Sequence, residues 1–269
     1  MGKDFKLKLH KELKQYREVF ESAIKPYISI CAESKKTLPW ESKFGGTPYL
    51  PNDYEYPKDS EGDLMKLLAQ INFEEVPDIG LFPQKGFLQF YISAADDVYG
   101  IDFDNQTNQQ SFKVIYIPEI TRDLSKIVTD FNFLDDLEAE YFPIGKESKL
   151  EFEVFNAPVS PEDYQFEKFL GRSAYSFFES ISDDPEKFDD WYYERYSASG
   201  HKMAGYAYFT QDDPREARYK DFDILLLQID TDDDVDIMWG DSGVANFFIK
   251  PEDLKKCDFS NVLYNWDCT

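Results

Sequence analysis

Three segments near the beginning of this chain recur near its end in the same order. The later copies follow at offsets of 159, 158 and 157 residues, and a shorter fourth match follows at 148. Such ordered self-similarity predicts a duplicated structural unit. The matching segments are KFGGTPYL (43–50) with KMAGYAYF (202–209), LLAQIN (67–72) with LLLQID (225–230), GFLQFYI (86–92) with GVANFFI (243–249), and VIY (114–116) with VLY (262–264).

Short apolar runs bounded by turn residues predict strands in both copies. The connections between these runs are too short for helical crossovers, so the strands are predicted to pair antiparallel. A further half-exposed strand is predicted at 150–154, where apolar residues alternate with glutamates. The predicted strands of the two copies are 64–73, 86–93, 111–118, 224–230, 244–249 and 261–266.

Helical patterns lie outside the two copies. An apolar stripe at helical spacing predicts an N-terminal helix that Pro26 limits. The segment 160–163 (SPED) has residues that favour a helix start, and Gly171 is predicted to end that helix. The segment 184–186 (DPE) begins another helix, which has an aromatic face. The stripe consists of Phe5, Leu9, Leu13, Tyr16, Phe20 and Ile24, and the aromatic face of Phe188, Trp191, Tyr192 and Tyr196.

Together these patterns predict an α+β fold, in which an internally duplicated unit forms antiparallel sheets, with an N-terminal helix and a helical insert between the copies. The chain is long enough to bury a large core. We expect the parts to form one compact, two-lobed domain. The expected parts are an N-terminal helical segment (1–36), a first repeat unit (37–118), a strand and helical insert (119–200) and a second repeat unit (201–269).

The chain is strongly acidic, with a formal net charge of −24. Residues 1–50 carry ten Lys and Arg and six Asp and Glu, a net charge of +4, so residues 51–269 carry −28. A surface of this kind repels phosphates and concentrates cationic partners. We expect no nucleic-acid binding, because that binding relies on Lys and Arg at the phosphate backbone. A basic protein or peptide is the expected partner, and solubility alone is the alternative explanation of the charge.

The three cysteines, Cys31, Cys257 and Cys268, are too few and too widely spaced for a disulfide framework or a zinc ligand set. Their presence favours a reducing compartment. The first residues lack the apolar core of a signal peptide, and no apolar run is long enough to predict a transmembrane helix. We therefore expect a cytoplasmic protein that does not associate with membranes and has no cofactor.

The segment 240–243 (GDSG) is similar to the sequence around the nucleophile of chymotrypsin-like proteases. A nucleophilic serine needs a histidine base within hydrogen-bond reach. The chain has two histidines, His10 on the predicted N-terminal helix and His201 just before a glycine turn. We interpret the segment as a turn between strands rather than as a catalytic site.

Asp230, Asp232, Asp234 and Asp241 have the spacing of ligands in an EF-hand calcium loop. That loop requires glycine at its sixth position for a sharp turn, and Val235 stands there. These four aspartates are weak candidates for a metal site, and a solvated acidic turn is the alternative interpretation.

Several segments together resemble the YwqG-like family, and the resemblance covers nearly the whole chain. It implies a bacterial, cytoplasmic protein with an internally duplicated α+β fold and no established catalytic residues. The family's distant similarity to eukaryotic programmed-cell-death and ribosome-assembly proteins implies a chaperone-like role, and some members have been proposed as immunity proteins against contact-delivered toxins. The segments that carry the resemblance are 42–48, 68–71, 86–91, Gly205 with 211–215, 226–230 and 238–243.

These observations favour a non-enzymatic binding protein, chaperone-like or immunity-type, that holds a basic polypeptide between the two copies. Two alternatives stay open, a metal-dependent hydrolase that uses the aspartate clusters and a structural scaffold. The glutamines at equivalent positions of the two copies are either binding residues or a buried hydrogen-bonding device. The candidate binding residues are Phe44, Gly45, Gly46, Pro48, Gln70, Gln228, Trp239, Gly240, Asp241 and Gly243.

One difference separates the two copies at their glycine turns. The first copy has Gly45-Gly46, whereas the second has Ala204-Gly205. Alanine enters the left-handed backbone region less readily than glycine, so the two turns need not be equivalent.

Overall fold

A computed structural model describes residues 5–135, 137, 140–182 and 184–269, with Asp189 as backbone only. Ten strands in these residues form one sheet in which every neighbouring pair is antiparallel. The strands are β1 (Lys25–Ser34), β2 (Lys43–Phe44), β3 (Lys66–Asn72), β4 (Phe87–Ile92), β5 (Phe112–Ile117), β6 (Ser148–Ala157), β7 (Lys202–Ala204), β8 (Ile224–Asp230), β9 (Val244–Ile249) and β10 (Val262–Asp267).

The order of the strands is β10-β9-β8-β7-β1-β6-β2-β3-β4-β5. The two longest strands, β1 and β6, pair over ten residues at the centre. On one side of this pair lie β2 to β5 in chain order, which we call the first half. On the other side lie β7 to β10 in chain order, which we call the second half. The predicted antiparallel strands are confirmed in both halves.

The two halves of the sheet curve toward each other into a nearly closed, barrel-like form. Phe90 of β4 and Phe247 of β9 have ring centroids 4.8 Å apart, and Phe112 of β5 lies 5.1 Å from Tyr264 of β10. These strands stand far apart in the strand order, so only curvature brings them together. One large apolar cluster therefore spans both halves and fills the interior.

The helices are short. A second apolar cluster packs α1, α2, α3 and α4 together beside the second half. The predicted aromatic face of α4 is confirmed, since Phe188, Tyr192 and Tyr196 are buried in this cluster. The α-helices are α1 (Arg17–Ser22), α2 (Gln165–Leu170), α3 (Ala174–Glu179), α4 (Glu186–Tyr196) and α5 (Pro251–Lys255), and the 3₁₀ helices are 11–16, 124–126, 132–134, 214–216 and 233–235.

The prediction of a helical segment over residues 1–36 is wrong beyond Ser22. Residues 11–16 form a 3₁₀ helix, α1 covers only six residues, and Lys25–Ser34 is the central strand β1. Pro26 cannot continue a helix, because it lacks a backbone donor and its ring clashes with the preceding turn. Beyond it, Ile28 and Ile30 enter the core at the spacing of two that a strand requires.

The strand predicted at 150–154 is confirmed, but its place in the fold differs from that of an insert. It belongs to β6, which pairs with β1 on one side and β2 on the other. The insert 119–200 therefore supplies half of the central pair. Alternation along a strand predicts that it has one buried face, but it does not identify its neighbours.

The helix predicted to begin at Ser160 begins later, at Gln165, and ends at Gly171 as expected. Ser160 donates its hydroxyl hydrogen bond to Glu162 instead of capping the helix. The carboxylate of Asp163 accepts a hydrogen bond from the Gln165 amide. The buried side chain of Asp163 also pairs with an arginine described below, and this tertiary contact delays the helix start.

Candidate functional site

Two tight turns flank the central strand pair, one directly after β2 and one directly after β7. The β2 turn is Gly45-Gly46, with φ values of +63° and +72°, and the β7 turn is Ala204-Gly205, with +59° and +71°. The two turns therefore share one backbone conformation, although the sequences suggested that they need not. Ala204 adopts a conformation that L residues rarely occupy.

Each turn packs against the strand beside it at an equivalent point. A β-carbon added to Gly46 would lie 2.8 Å from the side chain of Glu147, and one added to Gly205 would lie 2.7 Å from the β-carbon of Tyr27. Glu147 and Tyr27 are thus equivalent positions beside β6 and on β1. The backbone geometry is the same in the two halves, but the adjoining side chain is anionic in the first and aromatic in the second.

Two buried glutamines hold the segments that flank these turns. Gln70 accepts a hydrogen bond from the Tyr49 amide and donates to the carbonyls of Pro39 and Glu41. The side chain is fully buried, and all of these partners are backbone groups. Of the two roles left open by the sequence, buried hydrogen bonding is what the geometry displays.

Gln228 repeats this arrangement in the second half. It accepts from the Tyr208 amide and donates to the carbonyls of Ala198 and Gly200. The register of the strands also shifts at the corresponding points, between Leu67 and Ala69 and between Leu225 and Leu227. The two glutamines therefore order the backbone around equivalent turns.

Buried lysines precede both turns, and their surroundings differ. The Lys43 ammonium donates to the carbonyls of Leu38 and Thr47 and lies 4.0 Å from a Glu147 carboxylate oxygen. Burial lowers the pKa of Lys43 to about 8, although Glu147 opposes the shift. Hydrogen bonds and a nearby carboxylate favour the protonated form of a buried lysine and so limit the decrease of its pKa.

Lys202 occupies the equivalent place in the second half, where Tyr27 replaces Glu147. Its ammonium lies 5.4 Å from the centre of the Tyr27 ring. Burial lowers the pKa of Lys202 to about 7, and the more distant carboxylates of Glu162, Asp163 and Asp230 oppose the shift. The aromatic neighbour is a weaker partner than a carboxylate, which agrees with the lower value.

The outward surface of β1 and β6 lies between the two turns. Glu151 and Glu153 are exposed on β6, where they lie opposite Cys31 and Ser29 of β1. We call the surface formed by Tyr27, Ser29, Cys31, Glu151, Glu153 and Phe155 the central face. The Tyr27 and Phe155 rings stack at its end, with centroids 5.8 Å apart and planes inclined by 30°.

The central face combines two ways to bind a cation. Carboxylates form charge-assisted hydrogen bonds with lysine and arginine, and aromatic rings attract the same groups through their faces. Glu151 and Glu153 point to the same side of one strand, so their side chains are separated by about 7 Å. An extended chain with basic residues at alternate positions has the same spacing.

Most candidate binding residues taken from the sequence lie in the interior. Phe44, Gln70, Gln228 and Trp239 are fully buried, as are Gly45, Pro48 and Gly243. Trp239 packs against Tyr99, and a β-carbon at Gly243 would overlap the Asp267 carbonyl. These residues shape the turns and are not accessible to a partner. Gly46, Gly240 and Asp241 are the members that reach the surface.

Two of the four aspartates proposed as metal ligands, Asp230 and Asp232, bind neighbouring groups of the protein through their side chains. Asp230 accepts hydrogen bonds from the Gly200 and Thr231 amides. Asp232 caps a short 3₁₀ helix and lies 3.2 Å from His201, and this hydrogen bond holds the pKa of Asp232 below its usual value. Within the described part of the chain, no group of three or more His, Cys, Asp or Glu is arranged to hold a metal ion.

Sequence reasoning missed a buried ionic cluster that fixes the segment after the β7 turn. Arg215 donates to Asp163 at 2.9 Å and to Asp213 at 2.7 Å, and all three side chains are almost completely buried. Asp163 also accepts a hydrogen bond from the Ala207 amide. Asp213 and Arg215 are close in the sequence, but Asp163 lies 52 residues from Arg215, so no local pattern joins the three.

The central face was also missed, because β1 was taken for helix. The alternation of residues 150–154 was the available signal, and it predicted the exposed glutamates without the strand opposite them. That β1 and β6 are neighbours follows from the strand order of the whole sheet and not from either segment alone.

Comparison with protein families adds one finding. The family model described as Domain of unknown function (DUF1963) matches residues 42–268 of the chain. The chain belongs to the DUF1963 family. The matched region begins just before β2 and includes both halves and the central strand β6. A search of curated proteins found no match for this DUF1963 chain.

Among the residues that the structure describes, no helix combines the length and the apolar character needed to cross a bilayer.

Proposed function

We propose that this DUF1963 protein is a non-enzymatic binding protein, chaperone-like or immunity-type, that holds a basic polypeptide on its central face. The observation that carries the proposal is the exposed pair Glu151 and Glu153 beside the stacked rings of Tyr27 and Phe155. This surface suits lysine and arginine side chains, and the chain's net charge of −24 would steer a basic partner toward it.

The partner that fits best is an extended segment with basic residues at alternate positions. Side chains on one side of such a segment repeat at about 7 Å, which matches the two glutamates. The segment would lie along β6, with one cationic side chain near each carboxylate and a third at the Phe155 ring, since Lys202 of the protein itself lies against Tyr27. Exposed charge pairs of this type are screened by salt, so binding should weaken as ionic strength increases.

The test compares two double variants that change the net charge equally. Glu151→Gln with Glu153→Gln removes the carboxylates of the central face. Asp53→Asn with Glu55→Gln removes two exposed acids at the same spacing elsewhere. A fluorescently labelled peptide with arginine at alternate positions is titrated with each protein at low salt, and anisotropy reports the dissociation constant.

We expect the central-face variant to bind the peptide about tenfold more weakly and the control variant to bind like the wild type. Equal weakening in both variants would show that only the overall charge matters, and unchanged binding in the central-face variant would overturn the proposal. In a low-salt pull-down from cytosol, a natural partner should be a basic protein that the control retains and the central-face variant loses.

We also infer that the two halves derive from one duplicated unit and that the chain is of the YwqG-like type, bacterial and cytoplasmic. Supporting this are the matching strand order, the matching register shifts and the equivalent bonds of Gln70 and Gln228. Three free cysteines agree with a reducing compartment. Fractionation of the source cells tests the location, and the paired substitutions below test the equivalence of the halves.

A further inference from the structure

A cavity of about 400 Å³ lies beside the β2 turn, on the first half of the sheet. Leu67, Phe142 and Ile144 contribute apolar surface to it, and Gly46 and Thr47 line it from the turn. Its volume falls within the range of small-molecule sites. The cavity lies at a different place from the central face and uses different residues.

The charged residues that line the cavity are mainly cationic, in a protein whose net charge is −24. Lys36, Lys66 and Lys146 line it, and Glu147 is the one acidic lining residue in the described part of the chain. Such an accumulation of positive charge in an acidic protein is not explained by solubility.

The carboxylate of Glu147 is already engaged. It accepts hydrogen bonds from the amide and the hydroxyl of Thr37, and it pairs with Lys36 at 3.0 Å and with Lys43 at 4.0 Å. It therefore has little capacity left to neutralise Lys66. Lys146 pairs with Asp236 at 3.4 Å, but both side chains are more than half exposed and this pair is weak.

Lys66 is the most buried of the three lysines that line the cavity. Its side chain is partly buried, and its ammonium lies 5.3 Å from the centre of the Phe142 ring. No ion pair joins Lys66 to an acidic residue among those described by the structure. Burial also lowers the pKa of Lys66, so the site carries a partly desolvated cation that no acidic residue of the described chain pairs with.

The second half provides an internal control for this site. The register of β3 with β4 and of β8 with β9 makes Lys66 equivalent to Ile224. Glu147 is equivalent to Tyr27, and Lys146 to Pro26, by the pairing of the central strands with β2 and β7. The same backbone thus forms with uncharged residues at all three positions, so the fold does not require these charges.

We propose that this cavity is a binding site for a small organic anion, in which a phosphate or carboxylate group is attached to a compact apolar group. The anionic group would lie between Lys66 and the exposed ammonium groups of Lys36 and Lys146. The apolar group would contact Leu67, Phe142 and Ile144. Such a ligand neutralises the buried cation and fills the apolar surface at the same time.

The test uses phenyl phosphate as the probe, with benzyl alcohol as a neutral compound of similar shape. Binding is followed by chemical shifts of backbone amides in the full-length protein, which also report where each compound binds. We expect phenyl phosphate to bind at the amides of Gly46, Thr47 and Lys66, and at least about tenfold more tightly than benzyl alcohol.

Lys66→Met should weaken phenyl phosphate binding about tenfold, whereas Lys66→Arg should retain it to within a few-fold. Lys126→Met, which removes an exposed lysine elsewhere, should leave it unchanged. Because Ile224 occupies the equivalent position, Lys66→Met is expected to fold, and a thermal melt checks this. No shift at millimolar phenyl phosphate, equal affinity for benzyl alcohol, or unchanged binding by Lys66→Met would overturn the proposal.

Discussion

The two halves of this sheet have the same backbone and different chemistry. Equivalent glutamines order equivalent turns, and all four turn residues adopt positive φ angles. Around this shared frame, Lys43 has a carboxylate neighbour whereas Lys202 has the Tyr27 ring. The fold therefore needs the glutamine side chains that hydrogen-bond to the backbone, whereas the charged or aromatic side chains beside the turns can differ.

The largest expected effect tests the shared frame itself. Gln70→Met and Gln228→Met keep the side-chain volume but leave a buried amide and two carbonyls without their partners, so each should lower the free energy of unfolding by about 3–5 kcal/mol. Urea denaturation measures the change. The exposed Gln15→Met should cost less than about 0.5 kcal/mol. If only one of the two substitutions lowers the free energy of unfolding by less than about 1 kcal/mol, the two glutamines are not equivalent.

The turns should respond unequally to an added methyl group. Gly205→Ala places a β-carbon against the Tyr27 β-carbon, which cannot move without the strand, and we expect a loss of about 3 kcal/mol. Gly46→Ala meets Cγ and the carboxyl group of Glu147, which can shift without moving the strand but only by weakening its bonds to Thr37 and Lys36, so about 1–2 kcal/mol is expected. Equal losses in urea denaturation would contradict this difference between the adjoining side chains.

The lysines should differ in the sign of their contribution. Lys43→Met removes hydrogen bonds to the carbonyls of Leu38 and Thr47 and should destabilise the protein by about 2 kcal/mol. Lys202→Met removes a buried ammonium that lies 5.4 Å from the Tyr27 ring centre and forms no ion pair with a described residue, so below pH 7 it should stabilise the protein by about 1 kcal/mol. Destabilisation by both substitutions to the same extent would show that Tyr27 is as good a partner as Glu147.

The same lysine predicts a pH dependence. The pKa of Lys202 is about 7 in the folded protein and 10.5 in the reference state. Between these values the unfolded state binds more protons, so the free energy of unfolding should increase with pH, by at most about 1.4 kcal/mol per unit. In Lys202→Met the free energy of unfolding should increase less between pH 7 and 9 than in the wild type. If the free energies of unfolding of the wild type and the variant change with pH in parallel, the pKa of Lys202 is not lowered by burial.

The smallest effect concerns Ala204. Its φ of +59° is unfavourable for alanine, so Ala204→Gly should stabilise the protein by up to about 1 kcal/mol, less the entropy that glycine adds to the unfolded chain. Gly45→Ala, the reverse change in the first half, should destabilise it because the new β-carbon also meets Ile144 at 3.0 Å. Thermal melts of both variants are sufficient, and destabilisation by Ala204→Gly would contradict the shared turn geometry.

Much of the fold was predictable because strand signals are local. The apolar runs at 67–72 and 225–230 are short and bounded by turn residues, and the structure confirms both strands and their antiparallel pairing. β1 was not predictable in the same way, since residues 25–34 follow directly on an apolar stripe at helical spacing. Only the pairing with β6 and β7 satisfies its backbone groups as a strand.

The candidate site was less predictable. Gln70 and Gln228 recur in both copies and were predicted as candidate binding residues. In the structure they hydrogen-bond to backbone groups of the turns. The alternation at 150–154 predicted that Glu151 and Glu153 are exposed, but no sequence pattern indicated the strand beside them or the surroundings of Lys66. What these residues can bind depends on the side chains around them. In the central face those side chains come from β1 and β6, which are more than 80 residues apart in the chain.

The sequence by itself determined the local elements of this protein: three strands of each half (β3 to β5 and β8 to β10), the glycine turns and the aromatic face of α4. Hydrophobic period and backbone conformational preference act over a few residues, so they can be read directly. Tertiary structure alone decided that β1 and β6 form the centre, that Tyr27 replaces Glu147 beside the second turn, and that three lysines share one cavity. These outcomes depend on contacts between distant segments, whose energies no local pattern contains.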